Sequence, residues 1–71
     1  MKKALAKFDE LLVIKVSLDV QVSIEDEGMS KESAIDWFAS DEARTQYVED
    51  FGFEDYNPEE AKEIARILLN S

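Results

Sequence analysis

The segment Leu12–Ile24, LVIKVSLDVQVSI, decides the fold class that the sequence predicts. Each even-numbered position in it is apolar, and each odd-numbered position after Val13 is polar. The apolar positions are Leu12, Ile14, Val16, Leu18, Val20, Val22 and Ile24. Strict alternation in a segment rich in Val and Ile is typical of a β-strand with one buried face. The pattern therefore predicts a long β ribbon over residues 12–24.

The length of this ribbon raises the question of what it packs against. Thirteen extended residues span roughly 43 Å at about 3.3 Å per residue, whereas a compact domain of 71 residues has a radius of gyration of about 11 Å. Either the ribbon folds back as a hairpin around Ser17-Leu18-Asp19, or it pairs with a second chain. A wholly helical structure for residues 2–24, within a small all-α bundle, is the alternative.

Helices are predicted on both sides of the ribbon. Lys2–Leu12 has apolar residues spaced by three and four, which indicates a short amphipathic N-terminal helix. Three short helices are predicted after the acidic turn Glu25–Gly28. The fold class that we predict is therefore α+β, with the ribbon packed on these C-terminal helices. The whole chain, residues 1–71, forms one small domain.

The three C-terminal helices are predicted from their capping residues. Ser30 can cap a helix from Lys31 to Ala39, and Ser40 can cap the next, which Gly52 ends. In Asn57-Pro58-Glu59-Glu60 the Asn is a cap and Pro occupies the first helical position. This last helix continues to the C-terminus.

The composition excludes several classes of function. The chain has 8 basic and 17 acidic residues, a net charge of −9, so it lacks the basic surface that direct nucleic-acid binding needs. There is no run of apolar residues long enough for a membrane span and no signal-peptide pattern. The absence of cysteine excludes disulfides and fits a reducing compartment, so we expect a cytoplasmic protein.

The sequence offers few of the side chains and motifs that enzymes use for catalysis. The sequence has no His and no Cys, and its two glycines do not form a phosphate-binding loop. The oxygen-rich runs around Glu25–Gly28 and Asp55–Glu59 do not match the ligand spacing of a calcium loop. We therefore expect neither enzymatic activity nor a metal or other cofactor.

Acidic and aromatic residues are interleaved in the C-terminal half, and this pattern gives the candidate binding site. Partly exposed Trp and Tyr are frequent interface anchors. Acids at this density can also imitate the phosphates of nucleic acid. The candidate partner-binding residues are Asp36, Trp37, Asp41, Glu42, Glu49, Asp50, Phe53, Glu54, Asp55 and Tyr56. A hydrophobic core with a solvated acidic rim would produce the same pattern.

The function that these observations favour is that of a small acidic binding protein. It would act by protein–protein interaction, as an inhibitor that blocks or neutralises a basic partner, of which a nucleic-acid-binding protein is one kind. The alternative is a self-associating structural subunit that forms a homodimer through the β ribbon.

Overall fold

The structure, a computed structural model, describes residues 5–70, and within this range it contains helices and no β-strand. Residues 10–70 fold as a small bundle of four helices. A π-helical turn continues the first and the third helix without a break. The helices are α1 (Glu10–Gln21, continued by Val22–Asp26), α2 (Lys31–Trp37), α3 (Asp41–Thr45, continued by Gln46–Asp50) and α4 (Pro58–Asn70).

The predicted α+β fold, with a β ribbon over residues 12–24, is wrong, and the all-α alternative fits. On a helix, residues two apart lie about 200° apart and residues four apart lie about 40° apart. The alternating apolar residues of this segment therefore form two stripes on opposite sides of α1. One stripe, with Leu12, Val16 and Val20, is buried, and the other, with Ile14, Leu18 and Val22, is exposed.

The dimensions of the domain agree with this correction. The Cα radius of gyration is 11.2 Å and the principal extents are 28 × 28 × 17 Å. A helix of thirteen residues is about 20 Å long at about 1.5 Å per residue. The segment therefore fits inside one domain without a hairpin or a second chain.

The predicted N-terminal helix over Lys2–Leu12 is interrupted in its described part. Residues 6–9 form a turn, and a new helix begins at Glu10. Asp9 caps this helix, because its Oδ1 accepts hydrogen bonds from the backbone N–H groups of Leu11 (2.8 Å) and Leu12 (3.3 Å). An Asp side chain in this position satisfies N–H groups that have no partner within the helix. Residues 2–4 of the predicted helix lie outside the described residues.

The three C-terminal caps are confirmed. Ser30 Oγ accepts from Ser33 N and Ser40 Oγ accepts from Ala43 N, each at 3.2 Å. Asn57 Oδ1 accepts from Glu59 N at 2.9 Å and from Glu60 N at 3.4 Å. Pro58 is the first residue of α4, as predicted.

Two glycines end α1 and α3. Gly28 has φ of 67° and Gly52 has φ of 76°. Both values lie in the left-handed region that favours glycine. Beyond them, Met29 N donates to Ser23 O (2.9 Å) and Phe53 N donates to Tyr47 O (2.8 Å). These bonds close each helix end, and the prediction of Gly52 as a helix stop is confirmed.

The core lies between α1, α4 and the aromatic residues of α2 and α3. α1 packs along α4, and α2 also contacts α4. Phe38 and Tyr47 are the largest fully buried side chains, and their rings meet edge to face at 6.2 Å. The buried residues of this core are Leu12, Val16, Val20, Phe38, Tyr47, Ala61, Ile64 and Ala65.

Candidate partner-binding site

A cleft of about 270 Å³ opens between the start of α1 and the loop that joins α3 to α4. We call it the acidic cleft. Its carboxylates belong to four exposed residues, Asp9, Glu54, Asp55 and Glu60, and its apolar lining to Leu12, Phe53 and Tyr56, with Gly52 completing the wall. The acidic cleft thus combines negative charge with an aromatic surface.

Helix and loop ends position these carboxylates. Asp9 caps α1, and Glu60 lies in the first turn of α4, directly after the Asn57 cap. Each therefore lies at the positive end of a helix, where a carboxylate is stabilised without a basic neighbour. Glu54 and Asp55 lie in the short loop whose path is set by Gly52.

A hydrogen bond and ring contacts fix the aromatic lining of the acidic cleft. The Tyr56 hydroxyl donates a hydrogen bond to the carbonyl oxygen of Phe38, and its ring lies 4.7 Å from that of Tyr47. Phe53 also packs against Tyr47, with ring centroids 5.7 Å apart. The surface offered by Phe53 and Tyr56 is therefore preorganised, which reduces the entropy lost on binding.

A polar network links α1 to α3 beneath these rings. Tyr47 Oη donates to Asp19 Oδ2 at 2.6 Å, and Lys15 Nζ donates to Asp19 Oδ1 at 2.9 Å. Lys15 Nζ also lies 4.1 Å from the centroid of the Phe51 ring, which is a cation–π contact. Among the described residues no buried side-chain nitrogen or oxygen lacks a hydrogen-bond partner. This network therefore has a structural role.

Tyr47 and Tyr56 hold their phenolic protons more tightly than a free tyrosine. Burial, and next the negative charge of Asp19, raises the pKa of Tyr56 to about 12, against the opposing effect of Arg44. Burial and the hydrogen bond to Asp19 raise the pKa of Tyr47 still further. The unfolded chain loses these protons near a pH of about 10.

Alkaline titration should therefore destabilise the domain. Because the folded pKa of Tyr56 is raised, its contribution to stability is fully present below about pH 10 and is lost as the pH rises toward about 12. We expect the free energy of unfolding, measured with denaturant, to fall over this interval. Tyr56→Phe, which has no phenolic proton, should reduce the slope relative to the parent chain; an equal slope in both would contradict this assignment.

Few carboxylates are neutralised within the described residues. Of the 17 acidic residues, those with ion pairs there are Asp19 (to Lys15), Asp36 (to Lys62, 3.9 Å) and Glu63 (to Arg66, 2.8 Å). Over the same residues, none of the carboxylates of the acidic cleft has one. The cleft is thus a concentrated part of a strongly negative surface.

The ten candidate residues from the sequence do not form one site. Phe53, Glu54, Asp55 and Tyr56 come together in the acidic cleft. Trp37 and Glu42 line a different cleft, of about 300 Å³, which also includes Asp19 and Glu27. The remaining four are exposed and line neither cleft: Asp36 on α2, Asp41 in the first turn of α3, and Glu49 and Asp50 at its end.

Sequence reasoning missed Asp9, Leu12 and Glu60 as cleft residues. Asp9 carries a detectable signal, since an Asp directly before a run of helix-forming residues is a typical N-cap. Asp9 lines the same cleft as Glu54 and Asp55 because α1 packs beside the loop that joins α3 to α4. No local sequence pattern indicates this packing.

The acidic residues are spread around the cleft rather than focused on one point. Within residues 5–70, no three carboxylates come close enough together to hold a metal ion. In the same range no helix is long and apolar enough to cross a membrane.

Comparison of the chain with models of known protein families, with curated proteins and with solved structures finds no match.

Proposed function

We infer that this chain is a small non-enzymatic binding protein that occupies a basic surface of another protein, and that the acidic cleft receives cationic side chains of that partner. The observation that carries this proposal is the acidic cleft itself, in which four exposed carboxylates without ion partners among the described residues surround two fixed aromatic rings.

The chemistry of the cleft suits Arg in particular. A guanidinium can form paired hydrogen bonds with a carboxylate such as Glu54 or Asp55 and stack on an aromatic face such as that of Tyr56. Lys would gain the charge attraction but not the planar stacking. A protein with clustered Arg side chains is therefore the class of partner that fits best.

The charge of the whole chain supports the same partner. A net charge of −9 on 71 residues attracts basic surfaces from a distance and increases the rate of encounter. Proteins that bind nucleic acid carry such surfaces, so we propose a nucleic-acid-binding protein as the target, blocked by competition rather than by chemistry. We also propose that this occurs in the cytoplasm, where a chain without cysteine needs no oxidising environment.

A titration with an arginine-rich peptide tests whether binding depends on the acidic cleft or only on the net charge of the chain. The test variant is Glu54→Gln/Asp55→Asn/Glu60→Gln, and the matched control is Glu25→Gln/Asp26→Asn/Glu32→Gln, which removes the same charge from exposed positions outside the cleft. We expect calorimetry to show affinity reduced about 10-fold or more by the test variant and about 3-fold or less by the control. Equal losses in both would mean that only net charge matters and would contradict a cleft site.

The same pair of variants makes a search for the natural partner informative. A basic protein retained from nuclease-treated lysate by the parent chain and by the control, but not by the cleft variant, is the expected result. Its release should become complete as salt rises from about 0.05 M to about 0.5 M, because screening shortens the range of charge interactions.

A further inference from the structure

The outer side of α1 carries a stripe of exposed aliphatic residues, which we call the outer stripe. It consists of Leu11 (66% exposed), Ile14 (51%), Leu18 (56%) and Val22 (43%). Their spacing of three, four and four residues aligns them on one side of the helix, over about 16 Å. Single exposed apolar residues are ordinary, but four in a row on one helix mark an interaction surface.

The middle of the outer stripe presents no unpaired charge. Lys15 and Asp19 are the only charged residues between Leu11 and Val22 in the sequence, and they form an ion pair at 2.9 Å. Phe51, just after α3, contacts Lys15 through its ring and adds an exposed aromatic side chain on that side of the stripe. The middle of this surface is therefore suited to an apolar surface of a partner, although the chain is strongly acidic.

Both ends of the outer stripe are acidic. At the start of α1, Lys7 is outnumbered by Asp9, Glu10 and the other carboxylates of the acidic cleft, to which Asp9 belongs. At the other end, residues 25–27 are all acidic and exposed, and no basic residue in the last turn offsets them. Carboxylates at a helix C-terminus are disfavoured by the helix dipole, so a cation supplied from outside would stabilise this end.

This pattern of charge determines what can cover the outer stripe. A second copy of the chain carries the same two acidic ends, so either orientation of two α1 helices would bring acidic ends together. A segment with an apolar middle and basic residues at both ends is complementary along the whole stripe. Such a segment is best matched as a helix, because residues 5–70 contain no strand edge to which an extended peptide could add. Side chains at helical spacing also pack well into a row of the same spacing.

We propose that the outer stripe docks an amphipathic α-helix of the basic partner, with aliphatic residues along about three turns and Arg or Lys at both ends. This inference rests on the proposed function, since it names a second element of the same partner. Leu11 of the stripe is adjacent in the chain to Leu12 of the acidic cleft. One end of the docked helix therefore lies beside the cleft, and its other end faces the carboxylates of residues 25–27.

Two synthetic helical peptides test the apolar contact. The first carries Leu at helical spacing along a middle of about three turns and Arg at both ends. The second is its sequence isomer, with the same Arg ends but with the Leu residues distributed around the helix. We expect calorimetry to show that the parent chain binds the first peptide about 10-fold or more tightly than the second. Equal affinities for the two peptides would overturn the proposal.

Substitutions in the chain show where this preference arises. Ile14→Gln/Leu18→Gln should reduce it to about 2-fold or less, because Gln keeps the helix propensity and removes the aliphatic contacts. Leu11→Gln, at the most exposed position of the stripe, should reduce it by a smaller factor. Ser33→Gln/Ala39→Gln, the matched control at exposed positions outside the stripe, should keep it. A preference that stays unchanged in both stripe variants would contradict docking at this surface.

A third peptide tests the charges at the two ends. It keeps the row of Leu residues and has Glu in place of Arg at both ends. Its affinity should be about 10-fold or more below that of the first peptide at about 0.1 M salt, since its ends then face carboxylates. Equal affinity of the first and third peptides would show that charge does not select the partner and would overturn the proposal.

Two further measurements distinguish docking on the outer stripe from the other interactions of the chain. Ile14→Gln/Leu18→Gln should keep the binding of an arginine-rich peptide without Leu, which tests the acidic cleft alone. A parent chain that does not bind this peptide would contradict the acidic cleft, while its preference for the first peptide over the isomer still measures the outer stripe. Sedimentation of the parent chain should show a monomer. A dimer that Ile14→Gln/Leu18→Gln dissociates would place a second copy on the stripe and overturn the proposal.

Discussion

We expect Val16→Lys to lower the free energy of unfolding by about 3–5 kcal/mol and Leu18→Lys to change it by less than about 0.5 kcal/mol. Val16 is fully buried against α4 and the aromatic core, so a lysine there has no partner for its charge. Leu18 is 56% exposed, on the side of α1 that faces away from the core. Lys is a good helix former, and at this position it also reduces the net negative charge.

These two substitutions distinguish a helical structure of residues 12–24 from a β ribbon. In a β ribbon Val16 and Leu18 would face the same side and both substitutions would be damaging. Chemical denaturation followed by circular dichroism measures both changes. Similar losses in the two variants would contradict the helical assignment of this segment.

Phe38→Ala should lower the free energy of unfolding by about 3–5 kcal/mol, a large share of the stability of a domain of this size. Phe38 is fully buried and contacts the rings of Trp37 and Tyr47. The cavity left at this position cannot be refilled easily, because its neighbours are held by hydrogen bonds, including that from Tyr56 to the carbonyl of Phe38.

Phe51→Ala is the matched control, since it removes the same side chain from a position that is 54% exposed. It loses the cation–π contact with Lys15, worth about 1 kcal/mol or less at such a site. Thermal unfolding should show the difference as a large fall in Tm for Phe38→Ala and a small one for Phe51→Ala. A comparable fall for both would mean that the core is not centred where the structure places it.

The C-terminal half could be predicted from local signals because its helix ends are encoded by single residues. Ser30, Ser40 and Asn57 cap the helices that follow them, and Gly52 takes the left-handed conformation after α3. These are interactions within a few residues of the chain, so they survive whatever the tertiary structure is.

The N-terminal half could not be predicted in the same way, because alternation in Leu12–Ile24 has two physical solutions. A strand places all its even-numbered side chains on one face, and a helix divides them into two stripes. The helix exposes Ile14, Leu18 and Val22. The strand was favoured because it would bury all of the even-numbered apolar side chains. One local signal pointed to the helix: Lys15 and Asp19 are four apart and form an ion pair that a strand would not place together.

The candidate site was predicted in part. Phe53, Glu54, Asp55 and Tyr56 are consecutive, so one loop brings them to one place. The other predicted residues were assigned to the same site because acidic and aromatic residues are interleaved in the sequence. Helices α2 and α3 place them outside the acidic cleft. Asp9 joins the cleft through tertiary packing, which composition does not reveal.

The most direct test of the central claim, that the acidic cleft receives cationic side chains, is a heteronuclear NMR titration of the labelled chain with an arginine-rich peptide. We predict that the largest amide shift changes lie at Asp9, Phe53, Glu54, Asp55, Tyr56 and Glu60, and that those at Glu25, Asp26 and Glu27 stay small. Shift changes of similar size at all exposed acidic positions, or changes centred on Glu25–Glu27, would contradict the claim.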